Sequence, residues 1–171
     1  MPWLRLRFDG EGLAFAKLTR FARTARAHIA VDDPGPERVY PTHTRLTGLG
    51  RLTGAMVKAA LTRQYGPGVE VARDGNDLLV RAAMPEDRLW SAQLQRVRTL
   101  GARFWPPYII VDNGAVTMYA RPLPGEDAAK LAAQAFAAGI RDVAVLRDVD
   151  LEPWLGLEPT PPGPLQLAVA S

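Results

Sequence analysis

Residues 74–82 (Asp-Gly-Asn-Asp-Leu-Leu-Val-Arg-Ala) and residues 113–120 (Asn-Gly-Ala-Val-Thr-Met-Tyr-Ala) are two copies of one pattern, about 39 residues apart. Each copy joins a turn dipeptide to a strand-like run. Each run is followed by a proline, an acidic turn and a helical stretch that ends near a glycine. Asp-Gly and Asn-Gly are strong signals for two-residue hairpin turns. The internal repeat therefore predicts two βαβ-like halves that share one sheet.

Hydrophobic periodicity extends this prediction outward from the repeat. The predicted strands are 3–8, 69–73, 77–83, 108–112, 115–121 and 143–146, and the predicted helices are 12–30, 53–65, 86–100 and 125–138. Residues 41–54 are rich in glycine and threonine and are predicted to form a loop. We therefore expect an α+β fold with a basic N-terminal βα subdomain at 1–66, a repeat unit at 67–150 and an irregular, proline-rich tail at 151–171.

The composition is that of a water-soluble protein with an ordinary core. The chain has 171 residues, of which 47% are hydrophobic and 23% charged, and it contains no cysteine. The lack of cysteine excludes disulfides, zinc–thiolate sites and cysteine nucleophiles. No apolar run approaches the roughly 20 residues of a membrane span, and the amino terminus lacks the apolar block of a signal peptide. These features favour a cytoplasmic protein without a membrane partner.

The charge is distributed unevenly along the chain. Residues 1–66 hold 11 basic and 5 acidic side chains, a net +6, whereas residues 67–171 hold 10 basic and 13 acidic ones, a net −3. Such polarity either presents a basic face to an anionic partner or draws the two halves together.

DNA or RNA is the anionic partner that we expect. The candidate nucleic-acid-binding residues are Lys17, Arg20, Arg23 and Arg26 on the predicted helix 12–30, with Arg45 and Arg51 in the predicted loop. A solvated basic helix face is the alternative interpretation. The glycine-rich run 48–54 could also cradle a phosphate at the start of the next helix, although it lacks the Gly-Lys-Ser/Thr ending of a Walker loop.

The sequence offers no set of catalytic residues. The only histidines are His28 and His43, and the only serines are Ser91 and Ser171, neither of which lies in a nucleophile-elbow context. The carboxylate pairs at 86–87 and 126–127 begin predicted helices, where negative charge stabilises the helix dipole. No histidine and carboxylate cluster has the spacing of a metal site. We therefore expect no enzymatic activity, no metal and no cofactor.

Residues 77–148 resemble a SPOR domain, the sporulation-related repeat. The resemblance is carried by the run 119–131 (Tyr-Ala-Arg-Pro-Leu-Pro-Gly-Glu-Asp-Ala-Ala-Lys-Leu) and continues through Gly139 to Val145-Leu146. It implies a ferredoxin/SPOR-like βαββαβ unit that binds peptidoglycan.

The sequence departs from that family at the positions expected to contact sugar. The family's glutamine is replaced by Val80, its Tyr-Arg pair by Val116 and Thr117, and its strand-closing glycines by Ala82 and Arg121. Alternation places Leu78, Val80 and Ala82 on one strand face, which becomes an apolar strip instead of a wet surface. Such a strip usually contacts protein, so Leu78, Val80, Ala82 and Tyr119 are predicted interface residues, covered by residues 1–66 or by a second copy of the chain.

Three function classes follow from these observations. We expect a non-enzymatic, cytoplasmic, nucleic-acid-associated binding protein that uses the basic helix. The alternatives are a SPOR-like peptidoglycan-binding module and a structural or assembly subunit of a larger complex or virion, forming an oligomer or binding a protein partner through the apolar sheet face.

Overall fold

The computed structural model describes residues 2–31, 39–85, 104–123 and 125–146. Within these ranges the protein is α+β, as predicted. The strands are β1 (Trp3–Asp9), β2 (Arg26–Val31), β3 (Val39–Thr47), β4 (Glu70–Asp74), β5 (Asp77–Pro85), β6 (Phe104–Asp112), β7 (Ala115–Pro122) and β8 (Asp142–Leu146). The helices are α1 (Ala14–Phe21), α2 (Gly54–Tyr65) and α3 (Ala128–Ala137).

The strands form one sheet in the order β4-β5-β3-β2-β6-β7-β1-β8, and every neighbouring pair is antiparallel. The strands of the predicted repeat unit do not form one continuous block of the sheet, although its two hairpins, β4–β5 and β6–β7, are each intact. Strands β2 and β3 separate β5 from β6, and β1 separates β7 from β8. The predicted boundary at residues 66–68 falls in the turn between α2 and β4, and a single sheet spans it.

Both predicted hairpins are present. In the second hairpin Asp112 pairs with Ala115, and the two loop residues Asn113 (φ 48°) and Gly114 (φ 82°) are left-handed, as in a type I′ turn. In the first, Asp74 pairs with Asp77, so the loop residues are Gly75 and Asn76, one position later than predicted. The Asn113-Gly114 dipeptide therefore forms its predicted turn, whereas Asp74-Gly75 indicates the first hairpin with the turn displaced by one residue.

The three helices pack on one face of the sheet. Helix α1 contacts β2 and β6, α2 contacts β4 and β5, and α3 contacts β1 and β8. The core includes the helix residues Phe15, Leu18, Val57, Leu61, Leu131 and Ala135 and the strand residues Leu4, Leu6, Ile29, Leu46, Val80, Val111 and Met118. We call the opposite side of the sheet the far face. It carries a smaller buried cluster of Trp3, Ile110 and Tyr119.

Two sequence-based predictions in the N-terminal half are corrected. The predicted helix 12–30 is a short helix, a turn and strand β2, because Ala27, Ile29 and Val31 alternate toward the core rather than following a helical stripe. The predicted loop 41–54 contains most of β3. In β3 the core-facing positions are Tyr40, Thr42, Thr44 and Leu46, and the threonines hide the apolar alternation.

Replacing each of the two core threonines of β3 by valine is expected to have opposite effects on stability. Thr42 Oγ1 donates a 2.9 Å hydrogen bond to the carbonyl of Ala82, whereas the buried Thr44 Oγ1 has no hydrogen-bond partner among the described residues. An unsatisfied buried hydroxyl is destabilising, so Thr44→Val is expected to raise the free energy of unfolding by about 1 kcal/mol. Thr42→Val is the matched control and should lower it by about 1 kcal/mol. Urea denaturation measures both, and equal effects of the two variants would contradict the assignment.

Several predicted elements lie outside the described residues. They are the helix 86–100 with its carboxylate pair and Ser91, and the tail 151–171 with Ser171. Of the described helices, none is long and apolar enough to cross a membrane.

Candidate nucleic-acid interface

Helix α1 presents a basic outer surface. It buries Ala14, Phe15, Ala16, Leu18 and Thr19 against the sheet. The side chains of Lys17, Arg20 and Phe21 point to solvent, and Phe21 is 66% exposed. The buried Thr19 hydroxyl accepts a 2.9 Å hydrogen bond from the Gly114 amide. The second hairpin turn of the repeat therefore fixes the position of the helix.

Two loops bring Arg23 and Arg51 to the same end of the sheet. Thr24 Oγ1 donates a 2.6 Å hydrogen bond to the carbonyl of Gly48, so the turn after α1 packs against the loop that leads into α2. Gly48 has a left-handed φ of 64°, and a Cβ atom there would lie 2.0 Å from the Thr24 carbonyl oxygen. Only glycine allows this close approach. Arg23 and Arg51 are both exposed on these adjoining loops.

Helix α2 extends the basic surface. The Gln64 side chain accepts a hydrogen bond from the Ala14 amide and donates one of 2.8 Å to the Gly12 carbonyl, so the end of α2 lies beside the start of α1. A groove of about 300 Å³ separates the helices and is lined by Gly12, Ala14, Lys17, Ala60, Arg63 and Gln64. Both charged side chains in this lining are basic. We name Lys17, Arg20, Arg23, Arg51 and Arg63 the basic helical surface.

Acidic residues are absent from the sequence that forms this surface. Residues 12–31 and 39–69 contain eight basic side chains and no aspartate or glutamate. Arg20 is the one member of the basic helical surface for which an ion pair is seen among the described residues, at 2.5 Å from Asp9. For the other four members, no ion pair is seen within the part of the chain that the structure describes, so positive charge predominates near α1 and α2 there.

Arg26 and Arg45 lie away from the basic helical surface. Arg26 is the first residue of β2 and Arg45 lies within β3. Both point to the far face, because their strand neighbours Ala27 and Leu46 point into the core. Arg26 Nη2 is 2.8 Å from Asp112 Oδ2. Arg45 binds Asp74 at 2.9 Å and Asp77 at 3.0 Å.

Asp74 and Asp77 stabilise the charged form of the Arg45 guanidinium. Partial burial by itself lowers the pKa of its guanidinium, but the hydrogen bonds and negative charges of Asp74 and Asp77 outweigh burial and raise the pKa above its ordinary value. Arg45 is therefore a charged structural link between β3 and the first hairpin. The sequence grouped it with the phosphate-binding candidates because cross-strand acids are far away along the chain.

The predicted protein-interface strip is buried inside the molecule. Leu78, Val80 and Ala82 are 1%, 1% and 4% exposed and belong to the core beneath the helices. Part of the N-terminal half covers them, since α2 contacts β5. The strip therefore offers no surface to a second copy or to a partner. Tyr119 points to the far face, where it is buried beside Trp3 and Ile110.

The glycine-rich loop caps helix α2, and the two histidines lie apart from the basic helical surface. Thr53 Oγ1 accepts a 3.2 Å hydrogen bond from the Met56 amide and caps α2, so the loop supplies its own acceptor at the helix start. His28 and His43 lie on the far face of β2 and β3, and no group of three or more histidine or carboxylate side chains able to hold a metal occurs within the described ranges.

Burial raises the pKa of the Tyr65 phenol, which packs against Phe15 and stays neutral.

The chain was compared with known proteins. No family model matches it, no curated protein matches it, and no solved structure matches it. The functional assignment therefore depends on the geometry of the chain itself.

Proposed function

We propose that the protein is a non-enzymatic, cytoplasmic binding protein that associates with nucleic acid through the basic helical surface. The proposal rests on the charge of residues 12–31 and 39–69, which hold eight basic and no acidic side chains. Arg26 and Arg45 are ion-paired, whereas no ion pair with a described residue is seen for Lys17, Arg23, Arg51 and Arg63. Phosphates release counterions when such side chains neutralise them, and this release drives binding without sequence preference.

An exposed aromatic side chain favours single strands. Phe21 stands between Arg20 and Arg23 in the sequence and is largely exposed. A base stacked on an aromatic ring contributes about 1–3 kcal/mol, and it must first leave its duplex. We therefore propose single-stranded DNA or RNA as the preferred ligand, with the phosphates on the arginines and an unpaired base on Phe21.

The test is binding to labelled single- and double-stranded oligonucleotides over a range of salt concentrations. The variant Lys17→Gln/Arg23→Gln/Arg51→Gln is expected to weaken binding at low salt by about tenfold or more and to make the salt dependence shallower, because each phosphate contact contributes roughly 0.7–0.9 to the logarithmic slope. Phe21→Ala in the same assay should weaken only single-stranded binding.

The matched control removes three charges elsewhere. Arg121, Lys130 and Arg141 are exposed on β7, α3 and the segment before β8. The variant Arg121→Gln/Lys130→Gln/Arg141→Gln has the same net charge as the first variant, so long-range attraction is equal in both. Equal loss of binding in the two variants would show that net charge alone acts and that the basic helical surface is not the site.

A SPOR-like peptidoglycan-binding unit at 77–148 is our second proposal. It is supported by the order of β5, the β6–β7 hairpin, α3 and β8 along the chain. A glycan would have to bind the far face, because the strip of Leu78, Val80 and Ala82 lies in the core. Capture on glycan strands without stem peptides, unchanged in the Lys17, Arg23 and Arg51 variant, would favour this second function over the first.

A further inference from the structure

The far face of the sheet contains a pocket of about 370 Å³ that has no part in the basic helical surface. Its wall includes Arg5 and Arg7 of β1, Arg26 of β2, Ile110 of β6, and Thr117 and Tyr119 of β7. The strand register explains this grouping, because Arg5 pairs with Tyr119, Arg7 pairs with Thr117, and Thr117 pairs with Ile110. Directly paired residues of antiparallel strands lie on the same face of the sheet.

The three guanidinium groups of this pocket outnumber the carboxylates that are paired with them. Arg5 Nη2 and Arg7 Nε lie 3.7 Å from the two oxygens of a single carboxylate, that of Asp142. Arg26 has its own partner, Asp112, at 2.8 Å. Three positive charges thus face two negative ones, and the two arginines of β1 share an acid at a distance longer than a direct hydrogen bond.

Arg5 has hydrogen-bond donor capacity that the described residues leave unused. Arg5 Nε is buried and has no hydrogen-bond partner among the described residues. The side chain as a whole is 34% exposed and lines the pocket, so other nitrogens of the same guanidinium can reach a ligand there. The planar guanidinium matches the spacing of phosphate oxygens and binds them through two parallel hydrogen bonds.

The pocket is larger than an inorganic anion requires, and one part of its wall is apolar. Ile110 and Tyr119 are buried and belong to the far-face cluster with Trp3. The volume falls in the range of about 300–1,000 Å³ that is usual for small-molecule sites. We infer that this pocket binds a phosphate monoester with a small organic group, whose phosphate is held by Arg5, Arg7 and Arg26 and whose organic part lies against Ile110 and Tyr119.

The experiment is calorimetric titration of the full chain with AMP, adenosine and inorganic phosphate. We expect AMP to bind, inorganic phosphate to bind more weakly and adenosine not to bind. Equal affinities for AMP and inorganic phosphate would overturn the role of the apolar wall. No heat with either AMP or inorganic phosphate at millimolar concentration would overturn the site itself.

Two variants test the arginines. Arg7→Gln changes a half-exposed side chain and is expected to weaken AMP binding by about tenfold with the fold retained. Arg5→Lys keeps the charge but removes the Nε–H donor and the planar fork, and the same loss is expected. AMP binding by Arg5→Lys at the affinity of the unmodified chain would overturn the role of the Arg5 guanidinium.

Two further variants separate this site from the proposed nucleic-acid function. Arg121→Gln removes a far-face charge that stacks on Trp3 outside the pocket lining, and it should leave AMP affinity unchanged. The Lys17→Gln/Arg23→Gln/Arg51→Gln variant should also bind AMP normally, because its substitutions lie at α1 and the adjoining loops. Loss of AMP binding in that variant would show that AMP occupies the basic helical surface instead, and would overturn the inference.

Discussion

Val80→Asp is expected to lower the free energy of unfolding by about 5 kcal/mol, which is enough to unfold a domain of ordinary stability. Val80 is 1% exposed at the centre of β5, opposite Thr44 of β3 and Val71 of β4. The substitution removes buried apolar surface and places an unpaired carboxylate in the core, where no basic side chain of the core cluster can compensate it. Circular dichroism and urea denaturation measure the effect.

Ala83→Asp is the matched control for Val80→Asp. Ala83 belongs to the same strand, but its side chain points to the far face and is exposed. The same charge should therefore change the free energy of unfolding by less than about 1 kcal/mol, as is usual for surface substitutions. A Val80→Asp variant with native stability would contradict the buried position of this strand face, and so would equal losses in the two variants.

Gly48→Ala is expected to destabilise the protein by about 4 kcal/mol. An alanine at the left-handed φ of 64° is strained, and its Cβ would also lie 2.0 Å from the oxygen and 2.9 Å from the carbon of the Thr24 carbonyl. Backbone atoms cannot rotate away as a side chain can. The Thr24 turn is held by its own bonds, from Ala25 N to the Ala22 carbonyl at 2.8 Å and from Thr24 Oγ1 to the Gly48 carbonyl. Thermal and urea unfolding measure the loss.

Gly50→Ala separates backbone strain from the steric clash. Gly50 also has a left-handed φ, of 57°, but the nearest atom to an added Cβ is Thr24 Oγ1 at 3.7 Å, an ordinary contact. Its substitution should therefore cost only the strain of an alanine in this conformation, about 1–2 kcal/mol. If the two variants were equally stable, the close packing of the Thr24 turn on Gly48 would be wrong.

Elements that are specified by residues close together in the sequence were predicted correctly, and elements that depend on distant segments were not. The hairpins at Gly75 and Asn113-Gly114, helix α2 and helix α3 were predicted within a few residues, because turn residues, caps and a clear period act locally. Strand β2 was mistaken for helix, since Ala22, Ala25 and Ile29 also fit a helical stripe and the Arg23-Thr24 turn lacks glycine and proline.

The candidate site was predicted only in part, because the sequence does not show which arginines pair with distant acids. Lys17, Arg20, Arg23 and Arg51 remain exposed near α1, as their sequence positions indicate. Arg26 and Arg45 could not be separated from them, because their partners Asp112, Asp74 and Asp77 are remote in sequence and become neighbours only when the strands pair. Arg63 was missed, although the lack of any acid between residues 39 and 69 was visible in the sequence.

The sequence by itself determined the α+β composition, the two hairpin turns, the alternating strand faces and the excess of positive charge before residue 70. Each of these depends on side-chain type and near neighbours. Tertiary structure alone decided that β1, β2 and β3 enter the sheet among the later strands, that Leu78, Val80 and Ala82 face the helices, and that Arg5, Arg7 and Arg26 meet around one pocket. The order of the strands, and the pairing of strands that no hairpin turn joins, depend on hydrogen bonds and burial between segments far apart in the chain.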